Sequence, residues 1–250
     1  MGRALPIYRI RAENIAVESE NKIHDDQVAA KYGFRGGLVP GVTVYGYMTV
    51  PIMEMAPEWL ERGSMTLRLM EPFYDGEEVV VRAEAGEDGS IAVAAGREDG
   101  TVCARGSASI RKPSLPAPAR LPEHPLPAMD QRAAPSSDNL IPGGLLGTVV
   151  EALDLTGRRP YTERLLQYSN EILARNFRLG PWIHTASEVD NWAIAREGDE
   201  LSARGRVLER FDRKGHEFVV VDVTIVEGER LIQTVRHTAI YNPRSTDAPR

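Results

Sequence analysis

A chain of 250 residues with 30 Lys and Arg against 36 Asp and Glu carries a formal net charge of −6. No Lys/Arg cluster interrupts that balance, so neither a nucleic-acid surface nor a polybasic membrane patch is expected. A single cysteine, Cys103, excludes an intrachain disulfide, and the opening MGRALPIYRI has no apolar run of signal-peptide length; a cytoplasmic location is expected.

The first informative stretch is Glu20 to Tyr47, ENKIHDDQVAAKYGFRGGLVPGVTVYGY. A histidine among carboxylates leads into a glycine-rich turn, then into an apolar run opened by Pro40-Gly41. Either Asp25 or Asp26 suits a helix cap for QVAAKY. The run Gly41 to Met55 has almost no polar face, which predicts a fully buried helix despite Pro51. Pro40 suits its start, where a missing N–H costs nothing. The same run, extended from Leu38 to Ala56, is too broken by Pro, Gly and Glu54 to read as a membrane span.

Next comes Ser64 to Ala85, read as strand, turn at Asp75-Gly76, strand, followed by strands in SIAVAAG and TVCARGSASI. The segment Lys112 to Pro127 holds six prolines. It cannot enter a helix interior or a central strand, and it reads as an extended linker. Beyond it, Tyr161 to Phe177 shows a helical apolar stripe. Ile183 to Val207 reads again as strand, turn at Gly198-Asp199, strand, and HEFVVVDVTIV and RLIQTVRHTAIY follow as two more strands. The order of elements repeats, which points to duplication. The division expected is an N-terminal unit over 1–111, a linker over 112–135 and a C-terminal unit over 136–250. These elements allow a helix wrapped by a curved antiparallel sheet, done twice: an α+β architecture.

The pattern resembles the hotdog fold, and specifically the double-hotdog, MaoC-like hydratases and dehydratases of acyl thioesters. The resemblance rests on SENKIHDD and YGFRGGLVPG. The family's loop runs Asp-x-Asn-Pro-x-His-x-Asp, followed by Gly-Phe and a His-Gly that opens the central helix. Asn21, His24, Asp26, Gly33-Phe34 and Gly41 fall at matching positions. Ser19 replaces the catalytic Asp, Lys22 the Pro, and Pro40 the His of His-Gly. Related fatty-acid dehydratases open their helix with Met-Pro-Gly-Val, which VPGV resembles, but their catalytic Glu falls on Gly46. One member of the usual acid/base pair is missing under either alignment.

The resemblance implies an acyl-thioester hydratase or dehydratase with coenzyme A or an acyl-carrier protein as carrier, and a possible homodimer. His24 would be the acid/base, Gly41 N–H the oxyanion donor, Asn21 an orienting group and Glu20 the substitute carboxylate. Physical chemistry agrees in outline: imidazole moves protons near neutral pH, and N–H groups at a helix start favour a developing oxyanion. Tyr45, Tyr47, Trp182 and His184 are candidate substrate-lining residues. Each also has a plainer reading, with His24 as a satisfied loop histidine, Asn21 in an Asx turn, Glu20 solvated, the tyrosines in the core and His184 bonded to backbone. His124 and His216 are expected to be exposed. Among five histidines no two have ligand spacing, so neither a metal nor a cofactor is expected. A hotdog thioesterase, a non-catalytic acyl- or hydrophobe-binding module, and proton-transfer chemistry on a non-thioester substrate remain as alternatives.

Overall fold

The computed structural model describes residues 2–112, 116–157 and 159–246. Two long helices form where the apolar pattern places them, α2 over Gly41–Met55 and α4 over Tyr161–Asn176; a short α1 spans Asp26–Ala30 and α3 spans Trp59–Arg62. α2 is buried on nearly every side. Each fully buried Val, Ile or Met contributes about 1.5–3 kcal/mol, which outweighs the helix-breaking cost of Pro51, on the order of 3 kcal/mol. None of the described helices is long and apolar enough to cross a membrane.

The strands of the N-terminal half are β1 (Arg3–Ala4), β2 (Tyr8–Arg11), β3 (Gly63–Leu69), β4 (Glu78–Ala85), β5 (Ile91–Gly96) and β6 (Val102–Ile110). Those of the C-terminal half are β7 (Leu145–Ala152), β8 (Ile183–Asn191), β9 (Glu200–Arg213), β10 (His216–Glu227) and β11 (Arg230–Asn242). The first half is ordered β2-β4-β5-β6-β3 and the second β7-β9-β10-β11-β8. The two orders are the same strand for strand. Every pairing is antiparallel, and each half packs its own long helix against its sheet. This is the double hotdog.

The two expected sheets meet edge to edge. β3 pairs with β8, Met65 opposite Val189, so all eleven strands form one continuous sheet and neither half leaves this edge unpaired. Ser64–Ala85 and Ile183–Val207 do contain strand, turn and strand. The two strands in each segment do not pair with one another, because their connections carry the chain to opposite sides of the half-sheet. The linker residues 113–115 lie outside the described residues. The rest of the stretch between β6 and β7 has no strand and one 3-10 turn, Met129–Gln131. Breaks at 111/112 and 135/136 remain our proposed division.

α2 and α4 touch closely. A Cβ on Gly46 would lie 3.0 Å from Glu163 Cβ, so glycine permits the approach. Across it Thr43 Oγ1 donates to Glu163 Oε1 at 2.9 Å, and the hydroxyls of Thr49 and Thr162 bond at 2.7 Å. Glu163 is 2% exposed, and burial raises its carboxyl pKa above the usual range. Both helices are entered by a proline, Pro40 and Pro160.

Candidate functional site

The loop before α2 is built by its own polar residues. Asn21 caps a 3-10 turn over Lys22–His24, and Asp25 caps α1 by accepting from Val28 N–H at 2.9 Å. Asp26 accepts from Gly37 N–H at 2.7 Å. A side chain at Gly37 has no room, since its Cβ would lie 2.0 Å from the His24 carbonyl oxygen. Asn14 donates to that same oxygen at 2.8 Å. Leu38 N–H bonds to Ile23 O at 3.2 Å, which lays the histidine turn against the segment that enters α2.

His24 is half-buried. Its Nδ1 is 2.6 Å from the Leu38 carbonyl oxygen. A carbonyl only accepts, so Nδ1 carries the proton and Nε2 presents a lone pair. Burial lowers the His24 pKa, opposed by the Leu38 hydrogen bond. The ring is therefore a neutral base at physiological pH. Asn21 Nδ2 approaches Nε2 at 3.3 Å. The same amide pairs twice with Trp182, Nδ2 to its carbonyl at 3.0 Å and Oδ1 from its N–H at 3.0 Å. Asn21 thus locks the N-terminal loop onto the C-terminal half, and the double pairing identifies its O and N atoms unambiguously.

His24 and Gly41 share a chamber of about 230 Å³, lined also by Phe34, Leu38, Val44, Leu69, Phe73 and Ile240. The first N–H groups of a helix have no partner within it. Among the described residues neither Gly41 nor Val42 N–H donates to a backbone carbonyl. His184 flanks the same end of α2. A Cβ on Gly41 would lie 2.5 Å from His184 Nδ1 and 2.4 Å from Leu69 Cδ1. Gly41→Ala is accordingly expected to cost about 1–3 kcal/mol of stability through overpacking, read as a lowered urea midpoint with unchanged slope; an unshifted midpoint would contradict this packing.

The predicted residues divide between places. His24, Asn21, Gly41, Trp182 and His184 meet at the chamber. Glu20 does not line it. Its carboxylate accepts from Arg132 at 3.0 Å, at the rim of a second hollow of about 420 Å³. Arg132 also donates to the Phe177 carbonyl at 3.3 Å at the end of α4. Tyr45 is fully buried in the core, and Tyr47 faces another cavity alongside Glu163; neither lines the chamber. His124 is exposed. His216, expected to be exposed, is half-buried on the chamber wall and accepts from Arg244 N–H at 3.0 Å.

Three polar chamber residues, Glu71, Asn170 and Thr185, went unseen in the sequence. Asn170 on α4 lines both the chamber and the outer hollow, and its Oδ1 is buried without a hydrogen-bond partner. An asparagine midway along an amphipathic helix was the only available signal for Asn170. Asn21, His24, Pro40, Asn170 and Trp182 form the wall shared by the two spaces.

No family model matches the chain, and no curated protein matches it. Solved structures do match over nearly its whole length. A Chloroflexus aurantiacus J-10-fl protein, provisionally named a MaoC domain dehydratase, is 11% identical, with a TM-score of 0.63 over 98% of this chain and 95% of that one. A double-hotdog protein of Mycobacterium tuberculosis is 13% identical, with a TM-score of 0.66 over 94% and 96%. A Thermobifida fusca YX protein, provisionally named thioesterase II, is 14% identical, with a TM-score of 0.59 over 96% and 94%. At these identities the likeness is one of fold.

Proposed function

We propose that the protein is an acyl-thioester hydratase or dehydratase that uses His24 as its single acid/base. One observation carries the reading. The Leu38 carbonyl holds the His24 Nδ1 proton, so a bare Nε2 lies in the same apolar chamber as the N-terminal N–H groups of α2.

In the hydration direction Nε2 takes a proton from water, and the water oxygen bonds to the β-carbon of a 2-enoyl thioester. The π electrons move onto the carbonyl oxygen, where Gly41 N–H stabilises the enolate. The imidazolium, held by Leu38 O, then returns the proton to the α-carbon. One histidine serves in both half-steps, so the chemistry balances without the carboxylate that Ser19 fails to supply. Asn170 Oδ1 accepts the second O–H of the water. Asn21 positions the ring and yields its long contact with Nε2 when water arrives. The chamber is smaller than the roughly 300–1,000 Å³ of drug-sized pockets, which favours a short acyl chain. The outer hollow, with Arg159 and Arg175 on its wall, suits the polar carrier.

The test incubates the protein with saturated and 2-enoyl thioesters, following enoyl absorbance and free thiol separately. Loss of the enoyl chromophore without thiol release is expected. Thiol release with an intact enoyl group would make the protein a thioesterase, and saturable binding with neither signal a binding module. Because Glu20 is engaged by Arg132 away from the chamber, Glu20→Gln is expected to retain turnover within about threefold, whereas a general acid/base contributes at least about a hundredfold. A hundredfold loss would return Glu20 to the mechanism.

A further inference from the structure

A buried polar cluster beside the chamber takes no part in the chemistry above. His184 and Ser187 lie on β8, and His237 lies opposite Ser187 on β11. The three residues are 7%, 2% and 0% exposed. The two imidazoles stack with centroids 4.2 Å apart, and Trp182 lies 6.1 Å beyond His237. His184 Nε2 is 2.8 Å from Ser187 Oγ and 3.2 Å from the Ala186 carbonyl oxygen. Ser187 Oγ is 3.1 Å from His237 Nδ1. Two ring nitrogens have no partner, His184 Nδ1 and His237 Nε2. The first lies against Gly41, at the start of α2, on the chamber wall.

A hydroxyl carries one proton, so Ser187 donates to one histidine and accepts from the other. In one arrangement His237 Nδ1–H donates to Ser187, Ser187 donates to His184 Nε2, and His184 Nδ1–H points to the chamber. In the reverse arrangement His184 Nε2–H donates to Ser187 and Ala186 O, and Ser187 donates to His237 Nδ1. The reverse strands an N–H at His237 Nε2 in the core, where no ligand reaches it, and buried orphan N–H groups are the rarer and costlier defect. The first arrangement also leaves an unpartnered buried N–H in the ligand-free protein, but places it on the chamber wall against Gly41 rather than in the core. The Ala186 carbonyl at 3.2 Å opposes the first arrangement, since a carbonyl only accepts, while the Ser187 contact at 2.8 Å fits either one.

We propose that His184 is a second oxyanion donor, presenting Nδ1–H to the ligand's carbonyl oxygen beside Gly41 N–H, and that Ser187 and His237 are positioning residues that select this tautomer. The assignment rests on the thioester reading and adds to it the group that polarises the carbonyl. No proton is transferred to the ligand from His184; the ring stays neutral, as burial dictates, and a neutral imidazole is a competent electrophile.

Two measurements on the full chain test it. Two-bond proton–nitrogen spectra of the ligand-free protein labelled with 15N-histidine, assigned with a His184→Gln variant, are expected to show His184 protonated at Nδ1. Protonation at Nε2 would overturn the proposal, and this readout stands even where a Ser187 variant fails to fold. The second uses crotonyl coenzyme A labelled with 13C at the carbonyl, bound to the His24→Ala variant. Its carbonyl stretch is expected to fall on binding, to move back toward the free value when Ser187→Ala is added, and to fall again with Ser187→Thr. In the otherwise native chain Ser187→Ala should lower kcat about tenfold with little change in KM. Binding with a stretch indifferent to Ser187→Ala sinks the relay alone; no binding at all removes the thioester reading, and this proposal with it.

Discussion

His24→Ala is expected to lower turnover of a 2-enoyl thioester by at least about a hundredfold, the scale of a positioned acid/base, and to cost only about 1 kcal/mol of stability. The small stability loss follows from position. The ring is half-buried on a polar loop, and its bonds are the short one to Leu38 O and the long one from Asn21 Nδ2, neutral hydrogen bonds of modest net value. The pH profile of kcat/KM carries the same assignment. The base must be neutral to accept a proton from water, so activity is present above its pKa and lost as pH falls through it. Burial lowers that pKa, so the acid limb should lie below the ordinary histidine value of about 6.5. A wild-type rate in His24→Ala, or an acid limb well above that value, would remove His24 from the mechanism.

The second large effect is acid sensitivity of the fold. His184 is pushed down to about 4 by burial, and His237 well below its ordinary value by burial and by the neighbouring His184. Unfolding exposes both rings, which then bind protons near pH 6.5. The unfolded chain therefore takes up protons that the folded chain refuses. Stability is fully present above about pH 6.5 and is lost as pH falls toward 4, by on the order of 3 kcal/mol from His184 alone. Glu163 acts in the opposite sense: its raised pKa means that the folded chain holds this proton more readily than the unfolded one, which offsets part of the loss near the acid end. Urea unfolding between pH 7 and pH 4 should show the decline, and His237→Gln should make it shallower. A midpoint that holds steady across this range would show that the cluster is not buried neutral in solution.

Several features were legible from neighbouring residues alone. The unbroken apolar run predicted α2 from Gly41 to Met55, and the apolar stripe predicted α4 to within one residue of its end at Asn176. Both patterns recur every few residues, so a local reading suffices. The hairpins of β5 with β6 and of β10 with β11 were legible for the same reason, since their partners are joined by short turns. The proximity of Asn21, His24 and Gly41 was also legible, because the loop that joins them is short and stiffened by its own caps.

Other features depend on partners distant in the chain. Nothing local to Asn21 names Trp182 as its partner, and nothing local to Glu20 names Arg132. The pairing of β3 with β8 is a choice between edges. The histidine cluster shows the limit most clearly. In a regular strand His184 and Ser187, three residues apart, face opposite sides. The β8–β11 register slips at Thr185, where Ala239 pairs with His184 and Thr238 with Ala186. A bulged residue shifts the alternation by one, so both side chains turn to the same buried face. The sequence by itself determined the repeated helix-and-strand plan and the histidine loop, because periodicity and capping act between near neighbours. Only the tertiary structure decided which groups surround the loop, because strand register, bulges and the docking of the two halves are settled by packing across the whole sheet.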